Sequence, residues 1–205
     1  IATTSRSSSD ELRARSEVVT PVLHLNYKFD PKSRDLIRAS LTRAYKAPEL
    51  GALMARPQLN TTYPVNVSNV ESGPDRVGNP ALQPELSTGL DIAYETYFAN
   101  GGVMSIGMFH RRINGLVRNA VTLENVSWAT APRWVSRPIN LEGARSTGLE
   151  FEIKGRAGEL MPTLGLPADL NLRLSMSAYR SRVDDIPAPN NRLEQQQPWS
   201  LTMGF

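Results

Sequence analysis

Residues 170–177 have the sequence Leu-Asn-Leu-Arg-Leu-Ser-Met-Ser. Every second side chain is apolar, so an extended strand here has one apolar face and one polar face. The same alternation occurs at residues 89–98 and at residues 149–154. Because a helix needs apolar residues every three or four positions, these segments predict β-strands. Such strands build either soluble sandwiches or membrane barrels, and the choice between the two determines the class of function.

The chain is predicted to be all-β, an antiparallel meander of about seven strands. The predicted strands cover residues 18–29, 34–45, 85–98, 103–117, 140–154 and 169–179, and a last one starts at Trp199. The connections alternate between short and long, apart from one of medium length at residues 155–168, and the long ones are residues 46–84, 118–138 and 180–198. Outer-membrane barrels have short turns on one side and long loops on the other. The spacing therefore favours a membrane barrel over a soluble all-β domain.

Composition excludes several classes of function. The 205 residues are 40% apolar, and 23 Lys and Arg against 20 Asp and Glu give a net charge of +3. The basic residues are scattered along the chain, so no nucleic-acid partner is predicted. There is no cysteine, and no apolar stretch approaches the roughly 20 residues of a spanning helix. The chain opens at Ile1 with a Ser- and Arg-rich segment and no leader, so we expect it to begin inside a larger protein.

The sequence predicts no enzyme, no metal site and no cofactor. Its two histidines, His24 and His110, are far apart, and no His-Glu-x-x-His motif or Asp-rich calcium loop is present. There is also no Gly-x-Ser-x-Gly elbow for a serine nucleophile. No catalytic residue is therefore assigned.

Two short boxes resemble motifs of TonB-dependent outer-membrane receptors. Residues 36–50 resemble a strand-end segment of that family, in which an aromatic residue, a basic residue, Ala and Pro close a strand. Residues 78–85 resemble the Asn-Pro-x-Leu-x-Pro-Glu box that opens the next strand. The matching residues are Tyr45, Lys46, Ala47 and Pro48 in the first box and Asn79, Pro80, Leu82, Pro84 and Glu85 in the second. Asn140, Ala144 and residues 147–150 are similar to a later strand of the family.

The resemblance implies a barrel of about 22 strands plugged by a separate globular domain. Residues 1–205 would then be part of the C-terminal half of that barrel, a segment of a large transmembrane β-barrel without its plug. The implied function is active import across the outer membrane of a Gram-negative bacterium, with the TonB energy-coupling complex, a ferric siderophore or similar ligand and outer-membrane lipid as partners. Two alternatives remain: a passive porin or translocation barrel, and a soluble secreted all-β binding module.

Candidate ligand-binding residues lie in the long loops, where Arg and aromatic side chains suit an anionic, flat chelate. They are Arg56, Tyr63, Arg76, Trp128, Arg133 and Trp134. Haem importers of the family are expected to carry a histidine between the two boxes, and residues 48–79 contain none. A ferric siderophore is therefore favoured over haem, and corrinoids and oligosaccharides stay open.

Overall fold

The computed structural model describes residues 17–193 and 196–205. The Ser- and Arg-rich start and two positions of the predicted third long loop, residues 194–195, lie outside the described residues. The chain divides into two compact units. We call the first the sheet unit, which comprises Val19–Lys46, Glu85–Leu116 and Leu141–Phe205. The second, the loop unit, comprises Ala47–Pro84, Val117–Asn140 and, of the chain start, residues 17–18.

The described part of the chain contains ten strands and two short helices. In chain order they are β1 (Val22–Lys28), β2 (Asp35–Lys46), α1 (Leu50–Leu53), β3 (Asp75–Arg76), β4 (Glu85–Tyr97), β5 (Val103–Asn114), β6 (Val117–Glu124), β7 (Arg133–Asn140), β8 (Gly143–Arg156), α2 (Ala157–Leu160), β9 (Asn171–Val183) and β10 (Trp199–Gly204). Among these residues, no helix has both the length and the apolar character needed to cross a membrane.

The sheet unit is one seven-stranded sheet in the order β1-β2-β4-β5-β8-β9-β10. Every neighbouring pair is antiparallel, so the predicted meander of seven strands is confirmed. The short connections lie at one end of the sheet and the long ones at the other, because antiparallel strands reverse direction at each step.

The register of the sheet lines up the apolar side chains into continuous rows across the strands. One row consists of Tyr27, Ile37, Tyr94, Ile106, Phe151, Met176 and Leu201, and the next of Leu25, Ala39, Ile92, Met108, Leu149, Ala178 and Trp199. These side chains are not buried in the protein, since Ile106 is 50% and Leu149 61% exposed. An apolar face of this extent, formed by all seven strands, is the surface that a barrel presents to lipid.

The opposite face of the sheet carries the polar partners. Cross-strand ion pairs join Arg38 to Glu95 at 3.2 Å, Arg111 to Asp91 at 3.0 Å and Arg173 to Glu152 at 3.2 Å. The hydroxyl groups of Ser177 and Ser200 are 2.6 Å apart. Several side chains of the polar face are thus held by hydrogen bonds and ion pairs between neighbouring strands.

One glycine on the polar face lies beneath two aromatic rings. Gly148 pairs in register with Phe109 on one side and Tyr179 on the other. The two rings have their centroids 5.7 Å apart, and a Cβ at Gly148 would lie 2.5 Å from Phe109 and 2.6 Å from Tyr179. The glycine therefore leaves the space that these rings fill.

Several strand boundaries differ from the sequence prediction. The first strand starts at Val22 instead of residue 18, and β8 covers Gly143–Arg156 instead of residues 140–154. The strand predicted to run to Val117 ends at Asn114, because Gly115 takes a left-handed conformation with φ of 67°. The strand predicted to end at Tyr179 continues to Val183, where it still pairs with Ala144. These two side chains pack with Leu116 into a small buried cluster at the long-loop end.

The predicted connection 118–138 contains regular strands. It forms most of the β6-β7 hairpin, and with β3 it makes a separate three-stranded sheet. The sequence signal was weak because β6 and β7 mix apolar and polar residues without strict alternation. The other long connection before β4, residues 46–84, has little regular structure, as predicted, with one helical turn and a two-residue strand.

Candidate ligand site in the loop unit

The two-residue strand β3 organises the loop unit. It runs parallel to β7, with Asp75 opposite Val135 and Arg76 opposite Ser136. Successive side chains of a strand point to opposite faces. Asp75 is therefore directed into the unit and fully buried, whereas Arg76 is directed outward and exposed.

The buried face of the loop unit is built around an ion pair between Asp75 and Arg133, both 0% exposed. Arg133 donates from Nη2 to Oδ1 at 2.8 Å and from Nε to Oδ2 at 2.9 Å, which is the two-pronged arrangement of a strong pair. The backbone N–H of Asn60 and the indole N–H of Trp128 donate to the same carboxylate at 2.8 and 3.1 Å. Four donors therefore stabilise one buried negative charge.

These contacts shift the proton affinity of both partners. The hydrogen bonds from Arg133 lower the pKa of Asp75 from 3.8 to about 2, against the opposing effect of burial. The carboxylate in turn raises the pKa of Arg133. The pair is therefore charged throughout the physiological pH range.

Arg133 has no group free for a ligand. Its Nη1 donates to the backbone carbonyls of Val67, Pro64 and Tyr63 at 2.9 to 3.4 Å, and its Nη2 also donates to that of Asn60 at 3.3 Å. The sequence predicts that Arg133 contacts an anionic ligand, whereas in this structure its side chain is enclosed and its donors are used within the protein. Its contacts hold the loop backbone around the carboxylate of Asp75.

The three predicted aromatic residues of the loops lie around this buried pair and are half-buried. Trp128 contacts Asp75, and Tyr63 contributes its carbonyl to Arg133. The backbone of Trp134 is bonded to the side chain of Asn69, which accepts from its N–H at 2.6 Å and donates to its carbonyl at 2.9 Å. Asn69 thus replaces a neighbouring strand beside β7, a role that the sequence did not suggest.

The remaining two predicted residues, Arg56 and Arg76, lie together at a cleft of about 660 Å³. Gln58 and Arg76 exchange backbone hydrogen bonds of 2.8 and 2.9 Å, which bring the segment of Arg56 beside β3. Gly78 lines the cleft and lies close to the backbone of Met54. Its N–H donates to the carbonyl of Met54 at 3.0 Å, and a Cβ at this position would collide with that oxygen.

The cleft is positively charged and polar. Gln58, Asn119 and Ser136 line it together with the two arginines, and no carboxylate and no aromatic ring is among the lining residues. Both arginines are exposed, and neither side chain has an ion pair or hydrogen bond within the described residues. Two unneutralised guanidinium groups beside amide and hydroxyl donors can hold an anion. In the same part of the chain, no three His, Asp or Glu side chains are grouped to hold a metal ion.

The two boxes flank this unit along the chain. Tyr45 and Lys46 are the last residues of β2, and Ala47 and Pro48 follow its end. In the second box, the side chain of Asn79 accepts from the N–H of Ala81 at 3.0 Å and donates to the carbonyl of Pro138 at 3.1 Å.

The second box also anchors the loop unit before the next strand. Leu82 is buried, and the backbone of Gln83 exchanges two hydrogen bonds of 2.9 Å with the side chain of Asn140. Pro84 ends the unit, and β4 opens at Glu85 as the sequence predicts.

An antiparallel sheet with one apolar and one polar face, joined by short turns at one end and long loops at the other, defines a strand segment of an outer-membrane barrel. The family model described as TonB dependent receptor-like, beta-barrel, matches residues 2–205. The chain therefore belongs to the TonB-dependent receptor β-barrel family. No curated protein matches the chain.

Solved receptors share the fold. The siderophore receptor PirA of Pseudomonas aeruginosa is similar over 80% of this chain, with a TM-score of 0.61 and 17% identity. A mutant of the ferric enterobactin receptor PfeA of the same organism, in complex with enterobactin, is similar over 78% of this chain, with a TM-score of 0.54 and 18% identity. The hemophore receptor HasR of Serratia marcescens is also similar over 78% of this chain, with a TM-score of 0.53 and 17% identity. The chain covers 28%, 22% and 22% of these three chains.

Membership of the family bears on the classes that the sequence left open. The family consists of transport receptors of the Gram-negative outer membrane rather than of enzymes, and the solved relatives include siderophore and haem receptors. The soluble binding module is not supported, and the apolar face of the sheet is accounted for by lipid.

Proposed function

We propose that this chain is part of an outer-membrane receptor that binds a ferric siderophore and imports it by TonB-coupled gating. The long connections 46–84, 118–138 and 180–198 are the outer loops in this proposal. The observation that carries it is the cleft with Arg56 and Arg76, two exposed arginines that have no ion pair among residues 17–193 and 196–205 and can meet an anionic chelate.

The chemistry required of these residues is binding alone. Iron chelates are commonly anionic, and bidentate hydrogen bonds from guanidinium groups to carboxylate or similar oxygens are strong and directional. Gln58, Asn119 and Ser136 supply neutral donors around the two arginines. The absence of histidine between residues 48 and 79 favours a siderophore over haem as the ligand.

Import then follows from a difference in affinity between two states of the receptor. Ligand held by the loops shifts the plug, and the TonB energy-coupling complex, acting through the N-terminal region of the receptor, opens a passage. The Asp75–Arg133 pair supports the binding of the ligand, because it keeps β3, and with it Arg76, in a fixed position.

Uptake of radioactive iron by cells that depend on the full-length receptor tests the proposal. Hydroxamate, catecholate and carboxylate siderophores and haem are supplied one at a time with the iron label, and a corrinoid labelled with radioactive cobalt and an oligosaccharide labelled with radioactive carbon serve as alternative cargoes. Arg56→Gln and Arg76→Gln should each weaken binding of the active chelate about tenfold, which is the effect of losing one charged hydrogen bond.

Arg137→Gln is the matched control, since it removes one positive charge from the same unit but Arg137 is paired with Glu124 at 3.0 Å outside the cleft. Uptake that persists without TonB, or equal uptake of small sugars by passive diffusion, would support the porin alternative instead. If Arg56→Gln and Arg76→Gln both bound every chelate as tightly as the unchanged receptor does, the cleft would not be the binding site.

A further inference from the structure

The connection between β8 and β9 differs from the other connections at its end of the sheet unit. It covers residues 157–170 and contains α2, whereas residues 29–34 join β1 to β2 and residues 98–102 join β4 to β5. The connection 29–34 is a polar turn, in which the N–H of Lys32 donates to the side chain of Asp30 at 2.8 Å. We call residues 157–170 the β8–β9 connection. It is long enough to form a surface of its own, which the two short turns are not.

The tip of the β8–β9 connection is apolar and exposed. Residues 160–168 include no charged side chain. Met161 is 45%, Leu164 63% and Leu166 41% exposed. Gly165, between the two leucines, has a φ of 65°, the left-handed conformation that lets the chain turn at this point. Large apolar side chains grouped on an exposed turn indicate a contact surface rather than a solvated loop.

Hydrogen bonds hold the base of the connection closed. The N–H of Ala157 donates to the carbonyl of Leu170 at 2.8 Å, and the N–H of Gly158 donates to the carbonyl of Ala168 at 3.2 Å. The two arms of the connection therefore leave the sheet side by side, as a continuation of the pair of β8 and β9. The apolar tip is held between these two arms.

The connection bends towards the apolar face of the sheet. Leu160 of α2 lies over Gly155, since a Cβ at that glycine would be 3.3 Å from Cγ and 3.4 Å from Cδ1 of Leu160. Gly155 follows Phe151 and Ile153 at every second position of β8, so a side chain there would point to the apolar face. Leu172, the partner of Gly155 on β9, lies on the same face. Leu160 therefore extends the lipid-facing rows into the connection.

Glu159 ties α2 to the turn between β4 and β5. Its Oε1 accepts a hydrogen bond of 2.8 Å from the N–H of Asn100. Its Oε2 lies 3.2 Å from the position of a Cβ at Gly102, in the same turn. The helical turn α2 is thus held against a neighbouring connection as well as against β8.

We propose that the tip of the β8–β9 connection inserts into the inner, phospholipid leaflet of the outer membrane. Short connections lie on the periplasmic side of outer-membrane barrels, so the tip is at the level of that leaflet. Because residues 160–168 are uncharged, they can enter the boundary between headgroups and acyl chains without removing water from a charge.

A lipid leaflet fits this surface better than a periplasmic protein does. The reason is continuity, since Leu160 joins the apolar tip to the apolar rows that face lipid. The tip and the cleft with Arg56 and Arg76 belong to different units of the chain, so the proposal does not depend on the identity of the imported ligand.

The test measures the depth of the tip with a nitroxide spin label in the full-length receptor. Residues 1–205 contain no cysteine, so Leu164→Cys provides a labelling site once any cysteine elsewhere in the receptor is replaced. The receptor is reconstituted in vesicles of phosphatidylethanolamine and phosphatidylglycerol. Saturation of the spin signal with oxygen and with a water-soluble nickel complex should place the label about 5–10 Å into the boundary between headgroups and acyl chains.

Lys32→Cys is the matched control, because it labels an exposed position in the connection 29–34 at the same end of the sheet. Its label should be in water and fully accessible to the nickel complex. Leu166→Cys provides a second position in the tip if the first variant does not reconstitute. Equal nickel accessibility at the tip and at residue 32 would overturn the proposal. A tip label that is shielded only after a periplasmic extract is added would also overturn it, since the partner would then be a protein.

Discussion

The sheet unit and the loop unit each depart from the usual arrangement of a soluble protein, in which apolar side chains are inside and charged ones are outside. They do so in different ways. In the sheet unit the large apolar side chains are on the outside, and the ion pairs are half-exposed on the polar face. In the loop unit the largest fully buried side chain is a charged one, Arg133. The difference follows from the solvent. A sheet that faces lipid uses its apolar residues as surface, whereas the loop unit buries an ion pair and holds it with hydrogen bonds from the surrounding loops.

This contrast implies different sensitivities to mutation. The sheet unit has continuous cross-strand pairing over seven strands, so no single polar side chain is essential to it. The loop unit depends on one carboxylate that receives four donated hydrogen bonds. A buried charge left without its partner is costly, because the lost hydration is no longer offset.

The largest effect is expected from Asp75→Ala in the full-length receptor. It leaves the charge of Arg133 buried and unpaired, which should destabilise the loop unit by about 3–5 kcal/mol. Hydrogen exchange of residues 47–84 measures the loss, and exchange in the sheet unit should not change. The control is Glu124→Gln, which breaks the half-exposed pair with Arg137 and should cost less than about 1 kcal/mol. If the two variants destabilised the loop unit equally, the buried pair would contribute no more to its stability than the half-exposed pair.

The second effect concerns the two faces of the sheet. Ile106→Arg places a charge in the middle of the lipid-facing rows and should destabilise the barrel by about 2–4 kcal/mol in lipid vesicles. Ser105→Arg, at the adjacent position on the polar face, meets Glu95 and Glu152 in register and should cost much less. Denaturant unfolding of both full-length variants measures the difference. If Ser105→Arg were the more harmful, the assignment of the two faces would be reversed.

A third effect is a pH dependence of the loop unit alone. Because the pKa of Asp75 is lower in the folded state than its ordinary value of 3.8, the pair contributes its full stabilisation above pH 4. That contribution, about 2 kcal/mol, is lost as the pH falls from 4 towards 2. Cleavage by pepsin within residues 47–84, corrected for the activity of the enzyme on an unfolded substrate, should rise over this range. In Asp75→Asn the rise should be absent.

The smallest effect is expected at the glycines of the polar face. Gly148→Ala forces its Cβ against the rings of Phe109 and Tyr179 and should destabilise the sheet unit by about 1–2 kcal/mol. Gly107→Ala is the matched change, since the nearest atom to its Cβ, that of Ala93, would be 3.6 Å away. Thermal unfolding of the two full-length variants separates them. A neutral result for Gly148→Ala would show that the two rings move apart at little cost.

Prediction from the sequence worked where the pattern was local. Alternation at residues 149–154 and 170–177 predicted strands that the structure confirms, and the boundaries of β2 and β4 are right within one residue. Local pattern failed at residues 118–138, where β6 and β7 pair without strict alternation. Their order depends on contacts distant in sequence, such as that between Asp75 and Arg133.

The candidate site shows the same limit. Arg56 and Arg76 were selected by residue type, and the structure places them at one cleft. Arg133 was selected by the same criterion and is buried. Nothing in the residue types distinguishes these arginines. The burial of Arg133 and the exposure of Arg76 are decided by the face of β7 or β3 that each side chain occupies, and Arg56 lies in the segment beside β3. Asn69 and Asn60 were missed, since an asparagine in a polar loop carries no signal of the backbone group that it will bond.

The sequence by itself determined the seven strands, their two faces and the family, because alternation and the two boxes are properties of neighbouring residues. Only the tertiary structure decided which loop arginine is an internal support and which are exposed at the cleft, since that depends on the parallel pairing of β3 with β7. It also decided which side chains share a row across the strands, such as Tyr94, Ile106 and Phe151. Register is a relation between distant segments, and it becomes visible only when the strands are side by side.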